Sequence, residues 1–155
     1  MKIEILTVGK PQNDNMKNLS QDYLKRISRY LPVELIWVKG EKIASLPAQE
    51  IMQREAVRLQ QRIDADGYTV VLDRSGKMVS STAFAGFIQK RQLESTKKLT
   101  IIIGGPLGLP DNFRKAASIT ISLSKMTFAH ELTLVIVLEQ IYRAMSIQHG
   151  SKYHK

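Results

Sequence analysis

The 155-residue chain has no cysteine, which removes disulfides, thiolate nucleophiles and cysteine-ligated zinc or iron–sulfur centres together. It has no apolar run approaching the roughly 18 residues that a transmembrane helix needs. Its first apolar run is interrupted by Glu4 and gives way to polar residues 10–15. A signal peptide needs a longer apolar core and a small-residue cleavage site, so a cytoplasmic protein with no membrane association is expected. The three histidines, His130, His149 and His154, show neither H-x-x-x-H nor H-E-x-x-H spacing, and no metal site is expected. A G-x-S-x-G elbow is absent, as are G-x-G-x-x-G and a Gly-Lys-Ser/Thr phosphate cradle. Their absence argues against a serine hydrolase, a dinucleotide enzyme and a P-loop NTPase.

Positive charge is what the chain has in excess. Lysine and arginine outnumber aspartate and glutamate by 23 to 14, for a net charge of +9. Such an excess suits a polyanionic partner, because neutralising phosphates releases their condensed counterions. The basic residues are spread along the chain, which favours a charged face of a folded domain over a disordered arm. An indifferent basic surface is the plainer alternative.

Periodicity gives five strand–helix units. Residues 3–8 read as a strand. Met16, Leu19, Tyr23, Leu24, Ile27 and Tyr30 then recur at helical spacing, opposite Lys17, Lys25, Arg26 and Arg29, and Pro32 stops the run. Residues 33–38 are a second strand. Pro47 opens a helix whose apolar stripe is Met52, Ala56, Leu59 and Ile63. After the Asp66-Gly67 turn a β-branched strand spans 68–72 and ends at Asp73, and residues 74–77 break its pattern. Ser80 or Ser81 can cap a helix that buries Phe84, Phe87 and Ile88. Residues 99–103 are a fourth strand, 113–117 a short helix and 119–123 a fifth strand. A last helix is expected over 130–147. The alternation implies one α/β domain over 1–155, a mostly parallel sheet with helices on both faces. The last helix is apolar around most of its first half, so its own domain or a second subunit must cover it. A dimer interface is the reading preferred.

Ligands of open α/β sheets bind beyond the carboxyl ends of the strands. Three loops there depart from bland turn composition: 72–77, 104–110 and 124–130. Gly104 and Gly105 can bring bare backbone close to a ligand, although a tight connection is the better account of glycines alone. The third loop mixes hydroxyls, apolar groups and His130 just before a helix. Ser124 or Thr127 could cap that helix, or the backbone could hydrogen-bond an adenine edge between Leu123 and Phe128. The basic, aromatic tail from Gly150 to Lys155 is either frayed or suited to stacking on unpaired bases.

At these loops the chain resembles a known family. Leu72-Asp73 precedes Gly76-Lys77. Ile103-Gly104-Gly105-Pro106-x-Gly108-Leu109 follows, then Leu123-Ser124-Lys125-Met126-Thr127-Phe128-x-His130. Glu139-Gln140-x-Tyr142-Arg143-Ala144 and a terminal Tyr153-His154-Lys155 complete the series. In this order and spacing they resemble the SPOUT-superfamily methyltransferases that modify N3 of a pseudouridine in large-subunit ribosomal RNA. The resemblance implies a C-terminal trefoil knot, a homodimer, S-adenosylmethionine bound in the knot and the assembled ribosome as substrate. It places cofactor contacts on Leu72, Gly104, Leu123, Ser124, Lys125, Met126, Thr127 and Phe128. It places RNA binding and methyl transfer on Asp73, Arg143, Tyr153 and His154.

Asp73 and His154 are then candidate bases, and Arg143 a candidate anion stabiliser or phosphate clamp. A strand-end turn carboxylate and a helix-face salt bridge are the structural alternatives for Asp73 and Arg143. The chain departs from close relatives at Ala129 and Glu131, where a proline usually flanks the histidine, and at Leu134, where an arginine is usual. Other function classes are a non-catalytic RNA- or ribosome-binding protein, a tRNA methyltransferase, and a nucleotide- or flavin-binding enzyme that lacks the usual phosphate cradle.

Overall fold

A computed structural model describes residues 1–44, 46–151 and 153. The strands are β1 (Lys2–Val8), β2 (Val33–Val38), β3 (Tyr68–Met78), β4 (Lys98–Ile103) and β5 (Ile119–Ser122). The helices are α1 (Asp14–Ile27), α2 (Ala48–Gln60), α3 (Ser81–Leu93), α4 (Asp111–Ala116) and α5 (His130–Gln148). The strands form one sheet in the order β2-β1-β4-β3-β5, and every pairing is parallel.

Parallel sheets carry their crossovers on both faces, so their inner strands read as near-continuous apolar runs. In β4, Leu99, Ile101, Ile102 and Ile103 are all buried. Alternate residues feed two cores. Ile3, Ile5, Val70, Leu99 and Ile101 pack with α1, α3 and α5. Leu6, Val8, Val71 and Ile102 pack with Ala56 and Leu59 of α2 and Phe113 of α4. Local signals set several helix starts. The Asn13 side chain accepts the N–H groups of Asn15 and Met16, and Ser80 Oγ accepts that of Ala83.

Three expectations shift. The inward face of α1 includes Ser20, whose hydroxyl donates to the Met16 carbonyl at 2.8 Å, while Leu19 is 43% exposed. The inward face of α2 includes Ile51 and Glu55 as well as Ala56 and Leu59. The third shift is in β3, which does not end at Asp73. Its register against β5 jumps between Leu72 and Lys77, and pairing resumes with Lys77 opposite Ile121 and Met78 opposite Ser122. The extra residues form a bulge, which re-aims side chains at a strand end. Gly76 permits it: a Cβ there would lie 2.7 Å from the backbone carbons of both Thr120 and Ile121. Gly76→Ala should therefore cost roughly 1–3 kcal/mol through overpacking against immovable backbone. Urea unfolding reads this, and an unchanged midpoint would mean that the two strands are not so closely apposed.

Helix α5 packs between α1 and α3. Leu134, Val137, Leu138, Ile141, Ala144 and Met145 are buried in the chain's own core. Core burial thus accounts for most of the apolar first half without a second subunit. Leu134 is 2% exposed, so this position does not face RNA. Among the described residues no helix is long and apolar enough to cross a membrane, and no three His, Asp or Glu cluster as metal ligands.

Candidate functional site

The three loops singled out by composition meet. Since all five strands run the same way, their carboxyl ends lie along one edge of the sheet. There a cleft of about 1240 Å³ opens, lined by Leu72 and Asp73 from β3, by the 103–110 turn after β4, and by Leu123, Ser124, Met126, Thr127 and Phe128 after β5. Met52 and Gln53 of α2, Arg114 of α4, and His130 and Thr133 of α5 also line it. Leu72, Gly104, Leu123, Ser124, Met126, Thr127 and Phe128 therefore line one cleft together. Lys125 is exposed and is not part of that lining.

The glycine turn closes tightly. The Gly108 N–H donates to the Gly105 carbonyl at 2.9 Å, and Gly108 has φ +85°, a conformation natural only to glycine. A Cβ on Gly104 would lie 2.7 Å from Leu109 Cγ. The turn thus lines this side of the cleft with glycine backbone as well as with Pro106, Leu107, Leu109 and Pro110. In the loop after β5, the Ser122 hydroxyl donates to the Ser124 carbonyl at 2.8 Å, and Ser124 Oγ accepts the Met126 N–H at 3.0 Å. Neither Ser124 nor Thr127 caps α5, whose N-cap position is Ala129 with no side-chain bond. Ser124 shapes the loop instead.

Asp73 is held firmly. Its Oδ1 accepts from the Ser75 N–H (2.8 Å), the Ser75 hydroxyl (2.5 Å) and the Arg114 guanidinium (2.9 Å). Burial pushes its carboxyl up, but the Ser75 hydrogen bonds and Arg114 outweigh it and hold it below its ordinary range. A carboxylate this acidic is a weak proton acceptor. Arg114, which sequence reasoning missed, also pairs with Asp111. His130 lies at the start of α5, with Nε2 3.2 Å from the Thr7 hydroxyl. Burial lowers its pKa, against the raising effect of backbone hydrogen bonds at Val8 and Gly104, so the ring is neutral at pH 7. It joins the ends of β1 and β4. Glu131 accepts the backbone N–H groups of Gln12 and Asn13 and ties α5 to the approach of α1.

Arg143 and Tyr153 lie elsewhere. Arg143 is 13 residues along α5 from His130, roughly 20 Å at the rise of a helix. Its guanidinium binds Glu139 Oε1 through Nε (2.9 Å) and an Nη (2.6 Å), the helix-face ion pair that was the structural alternative. It also sits 5.1 Å from the Tyr153 ring centroid. The Tyr153 ring meets Tyr142 edge-on at 4.6 Å, and its hydroxyl lies 3.3 Å from that of Tyr23. Burial first, and the Tyr23 contact second, push the Tyr153 phenol well above its ordinary value. His154 lies outside the described residues. A single chain thus brings Asp73 to the cofactor loops but keeps Arg143 and Tyr153 on the α1–α5 surface.

A parallel sheet with a cleft beyond its strand ends, lined by a glycine turn and a loop of mixed polarity, places the chain among the α/β proteins that bind ligands at that edge. A family model described as "Predicted SPOUT methyltransferase" matches residues 1–154. The chain belongs to this family. It is 44% identical to "Ribosomal RNA large subunit methyltransferase H" of Symbiobacterium thermophilum, with 100% of both chains covered. It is 36% identical to the protein of the same name from Syntrophotalea carbinolica, with 99% of both covered. Among solved structures it resembles a probable methylase family protein from Haemophilus influenzae (TM-score 0.53, 11% identity, 99% of this chain and 70% of that one). A putative methyltransferase from Legionella pneumophila, solved in complex with the bound cofactor SAM, gives TM-score 0.53 at 11% identity over 93% of this chain and 66% of that one. These structures share the fold.

Proposed function

We propose that the protein transfers the methyl group of S-adenosylmethionine to N3 of a pseudouridine in large-subunit rRNA. It acts in the cytoplasm on the assembled ribosome, as a homodimer whose C-terminal backbone is knotted. The convergence of the three loops on one cleft is the observation that carries this reading. The full-length likeness to proteins named for ribosomal RNA methylation supports the substrate class.

The cleft suits S-adenosylmethionine chemically. Its volume exceeds what a ligand of that size fills. Leu72, Leu123, Met126 and Phe128 offer apolar walls to a purine, and the backbone at Gly104 and through 123–128 offers donors and acceptors to its edge. When bound, the cofactor supplies an electrophilic methyl group on a sulfonium. The chain's own work is to orient the base, exclude water and manage the N3 proton. Asp73, kept ionised by Ser75 and Arg114, sets negative charge on the cleft wall. It suits a cationic ligand better than it suits proton removal, which leaves His154 as the candidate base. Arg143 would stabilise the deprotonated base or clamp a phosphate. Within one chain it is far from the cleft, so the working site combines the cleft of one subunit with Arg143, Tyr153 and His154 of the other.

Methyl incorporation from labelled S-adenosylmethionine into ribosomes, naked rRNA and tRNA, measured side by side, tests the substrate. Label in ribosomes is expected. Label in tRNA alone would overturn the substrate while keeping the enzyme class, and none anywhere despite cofactor binding would point to a binding role.

A further inference from the structure

Helix α2 carries one carboxylate into the interior. Glu55 is 1% exposed. Its Oε1 accepts the Glu41 N–H at 2.9 Å, and its Oε2 has no hydrogen-bond partner among the described residues. The carboxylate rests against bare backbone on both sides. A Cβ on Gly105 would lie 2.4 Å from Oε2, and one on Gly40 would lie 3.6 Å from Oε1. Glu55 thus spans from the loop between β2 and α2 to the glycine turn of the cofactor cleft. It does not line that cleft but a neighbouring cavity, which shares Pro106 and His130 with it, and it bears on the cleft directly at Gly105.

The arrangement is costly. Ionised, Oε2 lacks a donor; protonated, its O–H lacks an acceptor. An apolar side chain of the same length would fill the space and remove the unpartnered Oε2 and the buried charge, leaving only the Glu41 N–H to find another acceptor. Burial pushes the Glu55 carboxyl up, and the Glu41 N–H and the Arg58 charge do not offset it. The folded chain therefore holds this proton above the ordinary value of 4.5, where the unfolded chain has released it. Glu55 consequently withdraws stability as pH rises from that value. Stability is not what this carboxylate supplies.

We propose that Glu55 is a positioning residue for the glycine turn, and that its open Oε2 accepts a backbone N–H of that turn when the cofactor cleft is filled. Pro106 has no N–H and that of Gly108 already meets the Gly105 carbonyl; the donors proposed are Gly105, which lies directly against Oε2, and Leu107 beyond it. The hydrogen bond locks the turn around the ligand and converts a stability cost in the empty protein into affinity. This rests on the reading of the cleft as the S-adenosylmethionine site.

The test compares the parent with Glu55→Met and Glu55→Gln by three measurements: calorimetric titration with S-adenosylmethionine, thermal unfolding without ligand, and amide exchange at Gly105 and Leu107. Methionine keeps the length and removes both acceptors. Glutamine keeps one acceptor for two donors and little changes the shape. Expected are an unliganded midpoint no lower than the parent's in both variants, and an advantage of Glu55→Met that is larger at neutral pH than below pH 4.5. The dissociation constant should rise about tenfold, the worth of one hydrogen bond made only in the complex. Ligand-induced protection at one of the two amides should be present in the parent and lost in both variants. Affinity unchanged within about twofold would overturn the proposal. So would a midpoint falling in step with affinity in both variants, because Glu55 would then be a packing strut. If the parent itself fails to bind, the cleft reading falls and takes this proposal with it.

Discussion

Replacing Arg143 by alanine should lower methyl transfer to ribosomes by roughly a hundredfold or more, the usual effect of removing one preorganised charge from a transition state. Affinity for S-adenosylmethionine should stay within about twofold. The two effects separate because Arg143 lies along α5 from the cleft, paired with Glu139 and stacked near Tyr153, and touches none of the cofactor loops. Were Arg143 only a surface ion pair, its loss would cost under about 1 kcal/mol of stability and leave turnover intact. Its charge reaches a reacting base only if a second subunit presents it. Mixing Arg143→Ala subunits with subunits carrying a disabled cofactor turn should then restore activity. Random pairing leaves half the dimers mixed, each with one complete site, so roughly a quarter of parental activity should return. No recovery, with mixed dimers shown to form, would place Arg143 in the same site as its own chain's cleft and contradict the two-subunit arrangement.

Gly105→Ala should abolish cofactor binding at ordinary concentrations, with the dissociation constant raised by about a hundredfold, near 3 kcal/mol. The added Cβ would lie 2.4 Å from Glu55 Oε2 and 3.1 Å from Cδ. That carboxylate is buried and held through Oε1 by the Glu41 N–H, so the turn must yield. A second change at the obstruction should relieve the first. The stability loss of the Gly105→Ala, Glu55→Ala double variant should be clearly smaller than the sum of the two single losses, as expected of residues in direct contact. Urea unfolding of the four proteins checks this. Strict additivity would mean that the two residues do not press on one another.

The sequence reveals the sheet where strands are buried on both faces. The residues of β4 are apolar almost without a break, and β2 begins and ends where its pattern does. The long α5 is also legible, because helical spacing continues through Ile141, Tyr142 and Met145 after a β-branched start. The end of β3 is not. Arg74, Ser75 and Lys77 carry no alternation, and only contact with β5 extends the strand around the Gly76 bulge. The cofactor loops stand out because glycine, proline and hydroxyl residues cluster at strand ends. Arg114 and Glu55 do not stand out, since single charges on amphipathic helices normally face water. Glu55 nonetheless leaves a trace: Ile51, Glu55 and Leu59 recur at four-residue spacing on one face of α2, which puts an acid in the middle of an apolar line. The separation of Arg143 and Tyr153 from the cleft depends on where α5 starts and runs, and no local pattern reports it.

The central claim is that this cleft holds S-adenosylmethionine. Backbone amide chemical shifts, followed during titration with the cofactor, test it most directly. Shifts at Leu72, Gly104, Gly105, Gly108 and the 123–128 loop, with little change through the opposite ends of the strands, are the expected result. A response confined to the Glu139–Arg143–Tyr153 surface, or none at saturating cofactor, would contradict the account.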